Sequence, residues 1–226
     1  MLFRSPVKRN RPVARGDLSP PVAVIVAVIA IAAALVGGTL LRPEFGGILA
    51  LYVGIQVLYS WGLRQIVLID IFCIMSGFVL RVLAGGVVAG VEVSSWLVLT
   101  TIFVSLFLAL CKRRAEIESI DEKPDGHRRT LAEYDSYFLD QLISVTTASV
   151  VICYSLYTLD ERTVAEFGTK SLVFTVPFVI YGIFRYLFLV HRREGGGSPA
   201  TALVSDAWLA VNGMVWLAVT TAILYG

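Results

Sequence analysis

Three groups of charged residues carry the chemistry this sequence could do. The first is Lys8, Arg9, Arg11 and Arg15, four cations within eight residues, framed by Pro6 and Pro12 and followed by Gly16. Arginine offers phosphate a planar, two-pronged donor and lysine a point charge. The prolines stiffen the segment, which suits an anion-binding strap. The plainer alternative is a basic anchor at a membrane surface. The second group is Lys112-Arg113-Arg114-Ala115-Glu116, where an apolar run ends. Lys112 and Arg113 stand four and three residues from Glu116, so a helix places all three on one face. That acid orients the cations for a phosphate or meets a metal; the alternative is a basic stop whose side chains reach for water.

The third group lies inside an apolar run. Asp70, Gly77, Arg81 and Gly85 follow one another at seven, four and four residues and make one stripe on a helix. A charge in hydrocarbon is costly and faces protein or a wet cavity, and glycines beside it admit a close neighbour. Arg185, in a later apolar run, is a candidate partner for this stripe.

Paired carboxylates at a helix end would hold a Mg²⁺–diphosphate complex. The sequence has none there: Asp121 and Asp125 have the spacing, but Pro124 stands between them in a hydrophilic stretch. Cys73, Cys111 and Cys153 sit in or beside apolar runs, form no CxxC pair and are expected to be small packing residues. His127 and His191 lie among arginines, with no partner at triad or zinc spacing, and read as solvated loop residues.

The elements that must position these groups follow from composition. In 226 residues, 57% are hydrophobic and 16% charged, and mean hydropathy is +0.77. A soluble domain carries roughly a quarter charged residues. The chain is therefore expected to be an integral membrane protein, which excludes a disordered tail, a disulfide-stapled secreted domain and an ordinary cytosolic enzyme. Nothing points to nucleic acid. A membrane-crossing helix needs about 20 apolar residues. Seven spans are expected, at 22–41, 46–63, 66–90, 95–111, 141–159, 171–190 and 207–225. No period-two alternation argues for a barrel, so the fold class is an all-α polytopic bundle, one membrane domain over 1–226. Alternate connectors collect 14 of the 19 Lys and Arg on one side and 3 on the other. This predicts a cytoplasmic N-terminus, an outer C-terminus, a cytoplasmic basic segment 1–21 and a cytoplasmic loop 112–140 in the plasma membrane. Ser198-Pro199 resembles the start of the segment leading into the last span.

The stretch from Lys8 to Gly16 resembles the segment after the aspartate-rich motif of the UbiA superfamily of intramembrane prenyltransferases. More specific are Asp70-Ile71-Phe72, the run Ser76 to Gly86, Lys112-Arg113-Arg114-Ala115-Glu116 and Phe184-Arg185-Tyr186. Together they resemble the branch of decaprenyl-phosphate phosphoribosyltransferase, across essentially the whole chain. The resemblance implies nine spans, the first two of them and their Asn-Asp-x-x-Asp motif preceding Met1. It implies transfer of 5-phosphoribosyl diphosphate, through carbon 1, onto a polyprenyl phosphate with release of diphosphate, dependent on Mg²⁺, for arabinose donors of the cell envelope. It also implies a phosphate site built from Lys8, Arg9, Arg11, Lys112, Arg113, Arg114 and Glu116. Homo-oligomerisation is left open.

Two alternatives stand beside this. One is prenyl transfer from a diphosphate to an aromatic or other acceptor. The other is an inactive or non-enzymatic membrane protein, although no repeated halves or paired broken spans suggest a transporter.

Overall fold

The computed structural model describes residues 12–121, 134–192, 202 and 205–225. The described residues contain no strand. The helices are α1 (Pro12–Arg15), α2 (Pro20–Leu41), α3 (Pro43–Trp61), α4 (Ile69–Ala89), α5 (Ser95–Asp121), α6 (Ser136–Leu159), α7 (Glu161–Phe167), α8 (Val176–His191) and α9 (Ala207–Tyr225), with 3₁₀ turns at Leu63–Gln65 and Ser171–Thr175. Proline opens α2 and α3, where its missing N–H has no helical acceptor to lose, and Pro177 is the second residue of α8. Gly90, at φ +71°, closes α4 in the left-handed conformation that frees its last carbonyls to bond beyond the helix.

Six helical segments are long and apolar enough to cross a membrane: Pro20–Leu41, Ile69–Ala89, Ser95–Ile117, Ser136–Leu159, Ser171–His191 and Ala207–Tyr225. The seventh expected span forms α3, a 19-residue helix whose Glu44, Gln56 and Ser60 dilute its hydropathy. The chain is a multi-pass, all-α membrane protein. Successive helices pack side by side from α2 to α6, and α8 lies against α5, α6 and α9.

The core sits between α4, α5, α6 and α8, built from Ile71, Phe107, Leu110, Leu139, Ile143, Tyr186 and Val190 around a fully enclosed Cys111. Cys73 and Cys153 are buried too, as expected of packing cysteines. Apolar side chains elsewhere point outward, including Val24, Ile25, Val28 and Ile29 of α2 and Trp208, Met214 and Leu217 of α9. In water such faces would be a large exposed apolar patch; against lipid tails they cost nothing.

Two boundaries differ from expectation. Helix α5 does not stop at residue 111 but continues to Asp121, and α6 begins at Ser136, so much of 112–140 is helical. Charges end a membrane span without ending a helix, and the Arg113–Glu116 pair three residues apart supports the extra turns. The stretch between α6 and α8 also holds α7, which hydropathy did not reveal.

Candidate functional site

The beginning of α4 and the end of α5 meet at one end of the bundle. Leu68, just before α4, has φ +67° and ψ −41°, so the chain turns sharply there. Its N–H donates to the Tyr134 hydroxyl at 2.7 Å. That hydroxyl donates to Asp70 Oδ1 at 3.0 Å. Asp70 Oδ2 accepts from Arg113 Nε at 2.8 Å, and Arg113 Nη1 donates to Glu116 Oε2. Asp70 is 1% exposed, Arg113 3% and Tyr134 5%. Asp70 lies in the first turn of α4, where the helix dipole favours a carboxylate. Buried charges persist only when each is paired and hydrogen-bonded, and this relay meets that condition. Burial pushes the Tyr134 phenol up to about 12 despite its bond from Leu68, and the nearby Asp70 charge adds to the rise.

Arg113 therefore points into the protein. Its neighbours, each about 100° away around the helix, point to opposite flanks. Arg114 Nε donates to Asp140 Oδ1 of α6 at 2.9 Å. His191 Nε2 lies 3.8 Å from the same oxygen; the ring is half-exposed, as expected, but it belongs to the last turn of α8 rather than to a loop. Lys112 is exposed and has no partner among the described residues. The three cations diverge around α5. Next to Arg114 opens a groove of about 520 Å³ between α6 and α8, with Asp140 and His191 at its charged end and Ile143, Val151, Ile152 and Phe184 along its length.

The intramembrane stripe divides. Asp70 and Gly77 are buried, and Gly77 lets Tyr52 and Gln56 of α3 come close. Arg81 and Gly85 are exposed. Arg81 Nη2 donates to the Tyr52 hydroxyl at 2.6 Å, and its guanidinium lies over the Tyr52 and Phe78 rings. Arg185 does not pair with this stripe: it binds Asp206 through Nε to Oδ1 at 3.1 Å and Nη2 to Oδ2 at 2.6 Å. Lys8, Arg9, Arg11, Asp125 and His127 lie outside the described residues. Asp121 is the last residue of α5 rather than part of a loop.

Mg²⁺ does not fit the carboxylates of this site. Both oxygens of Asp70 are taken by Tyr134 and Arg113, and Glu116 is turned onto Arg113. Among the described residues no three His, Cys, Asp or Glu side chains gather in a way that would hold a metal.

Sequence reasoning missed Tyr134 as a hydrogen-bonding centre, Asp140 as the partner of Arg114 and Asp206 as the partner of Arg185. Only Asp206 had a local signal. An aspartate immediately before an apolar run is a helix N-cap, and its Oδ1 accepts from Leu209 N at 2.7 Å.

The sequence profile described as the UbiA prenyltransferase family matches residues 4–206. Decaprenyl-phosphate phosphoribosyltransferase of Mycolicibacterium smegmatis is 29% identical, over 97% of this chain and 71% of the relative. The protein of that name in Mycobacterium tuberculosis is 30% identical, over 98% and 72%. The one in Corynebacterium glutamicum is 34% identical, over 94% and 64%.

Proposed function

The chain belongs to the UbiA prenyltransferase family, and from that premise we propose that it transfers the phosphoribosyl group of 5-phosphoribosyl diphosphate onto a polyprenyl phosphate, decaprenyl phosphate in the first instance. A phosphate oxygen of the lipid bonds to carbon 1 of the ribose as the bond from that carbon to diphosphate breaks, and diphosphate leaves. The sugar passes through an oxocarbenium-like state. The product is a ribose-bearing precursor that feeds arabinose donors for the cell envelope.

The observation that carries this reading is Arg114, bonded to Asp140 at the charged end of the apolar groove between α6 and α8. An amphipathic lipid phosphate needs both parts. Its tail lies along Val151, Ile152 and Phe184, and its head reaches the charged end. Lys112 gives the donor's phosphates a mobile point charge, and Arg114 offers a directional donor that Asp140 holds in place. The names of the relatives favour this substrate pair over prenyl transfer to an aromatic acceptor. Relatives in this family generally require Mg²⁺. The carboxylates of the site do not fit the ion, because Asp70 and Glu116 are engaged by Tyr134 and Arg113.

The charged end faces the cytoplasm on this reading, in the plasma membrane, because 14 of 19 basic residues fall in connectors on that side. Residues 1–226 act as one membrane unit, and Lys8, Arg9 and Arg11 join Lys112 and Arg114 at the donor's phosphates. The test is to incubate the purified protein with ribose-labelled phosphoribosyl diphosphate, decaprenyl phosphate and Mg²⁺, then extract the lipid. Label in the lipid phase is expected. Lipid without label, together with prenyl transfer from a prenyl diphosphate to an aromatic acceptor, would replace this reading with the second one.

A further inference from the structure

We propose that Asp70 and Tyr134 are positioning residues that fix the rotation of the end of α5, making Arg113 an internal tether and leaving Lys112 and Arg114 as the cations presented to an anionic ligand. This rests on the phosphoribosyl-transfer reading and deepens it, by naming which cations of the Lys112–Arg114 string face the donor.

Arg113 is enclosed at 3% exposure, and its guanidinium is shared between Asp70 and Glu116. To meet a phosphate it would have to leave two charged partners. Among the described residues two carboxylates face this one guanidinium, so the tether offers no surplus positive charge there. Lys112 does, because it is exposed and unpartnered among the described residues. The tether also joins segments far apart in the chain. Asp70 to Arg113 spans 43 residues and Asp70 to Tyr134 spans 64. With Arg113 fixed inward, the helix repeat holds Lys112 and Arg114 on opposite flanks. Asp70 and Tyr134 thus act on the ligand-facing cations without touching ligand.

Cys111 reports on this directly, because it is fully enclosed two residues before Arg113. In protein whose only cysteine is Cys111, after Cys73→Ala and Cys153→Ala, maleimide labelling in detergent reads the packing of the α5 end. Asp70→Asn and Tyr134→Phe are each expected to raise that rate about tenfold, as local opening does. Protein retaining Cys153 alone should keep its rate under the same substitutions. Affinity for phosphoribosyl diphosphate should fall by similar factors in Asp70→Asn and Arg113→Gln. The double variant should be no weaker than either, as expected of residues acting as one unit.

Unchanged Cys111 labelling in monodisperse Asp70→Asn and Tyr134→Phe protein overturns the proposal. So does tighter binding of the donor by Asp70→Asn with binding lost in Arg113→Gln, because those signs make Arg113 a ligand released from its carboxylate. If the parent protein binds no phosphoribosyl diphosphate, the phosphoribosyl-transfer reading falls, and the labelling rates alone decide whether the tether exists.

Discussion

Arg185 grips Asp206 with two near-parallel hydrogen bonds, at 3.1 and 2.6 Å, and so fastens α8 to the start of α9. The same carboxylate caps α9 through Leu209 N. One side chain therefore serves two structural purposes. Asp206→Ala removes a cap, worth about 1 kcal/mol, and a charged partner worth about as much again. A stability loss of about 2 kcal/mol is expected from thermal unfolding in detergent, with Asp206→Asn losing about half.

The pH dependence of that contact has a definite sign. The hydrogen bonds from Arg185 hold the Asp206 carboxyl below its ordinary value of 3.8, against the opposing effect of burial, and the Leu209 N–H and the charge of Arg185 add to the lowering. A lowered carboxyl stabilises fully above its unfolded value and loses that contribution as pH falls through the folded one. The stability gap between parent and Asp206→Asn should stay constant from about pH 7 to about pH 5 and close only below about pH 4. A gap that closes already at pH 5 would contradict the grip described.

Tyr134 titrates in the opposite sense. Its phenol is raised to about 12, so its contribution is complete below its unfolded value near 10 and fades as pH rises towards 12. Tyr134→Phe lacks that component. The stability difference between parent and variant should be flat up to about pH 10 and shrink above it, in urea titrations at successive pH values.

Lys112→Ala should separate binding from folding. The side chain is exposed and makes no hydrogen bond or ion pair among the described residues, so the unfolding stability should change by no more than about 0.5 kcal/mol. A charged hydrogen bond to phosphate is worth about 1.5–3 kcal/mol, so KM for phosphoribosyl diphosphate should rise about tenfold or more. Steady-state kinetics at saturating lipid would show this, and an unchanged KM would remove Lys112 from the donor site.

Gly46 sets how closely α2 and α3 approach. A Cβ there would come within 2.9 Å of the Thr39 Cα, a backbone atom that cannot swing aside. Gly46→Ala should force the hairpin open and cost about 1–3 kcal/mol, measured by thermal unfolding. Gly47→Ala, where a Cβ meets nothing within 4 Å, is the matched control.

The helices were legible because lipid demands long apolar runs, and the last one matches its expected bounds of 207–225 residue for residue. The pairing of charges was not. Periodicity placed Asp70 and Arg81 on one stripe, yet the stripe divides, with Asp70 buried and Arg81 exposed. Asp70 needed a cation, and its partner came from a string 43 residues away whose type and spacing suited phosphate equally well. Spacing gives the face a residue occupies on its own helix. Which helix stands opposite, and at what rotation, is set by packing across the whole bundle. Asp206 was the exception in principle, since a cap is a local device.

The backbone at Leu68 bears on the order of assembly. A leucine held at φ +67° sits in a conformation that costs about 1–2 kcal/mol relative to the right-handed regions. Its N–H is satisfied by a hydroxyl 66 residues further along the chain. Alone, the start of α4 would relax to ordinary torsions and turn elsewhere. It can settle only after α5 has returned and the chain leading into α6 has delivered Tyr134. This corner of the molecule is thus a late event in folding, and a nascent chain that stops short of residue 134 leaves it unformed.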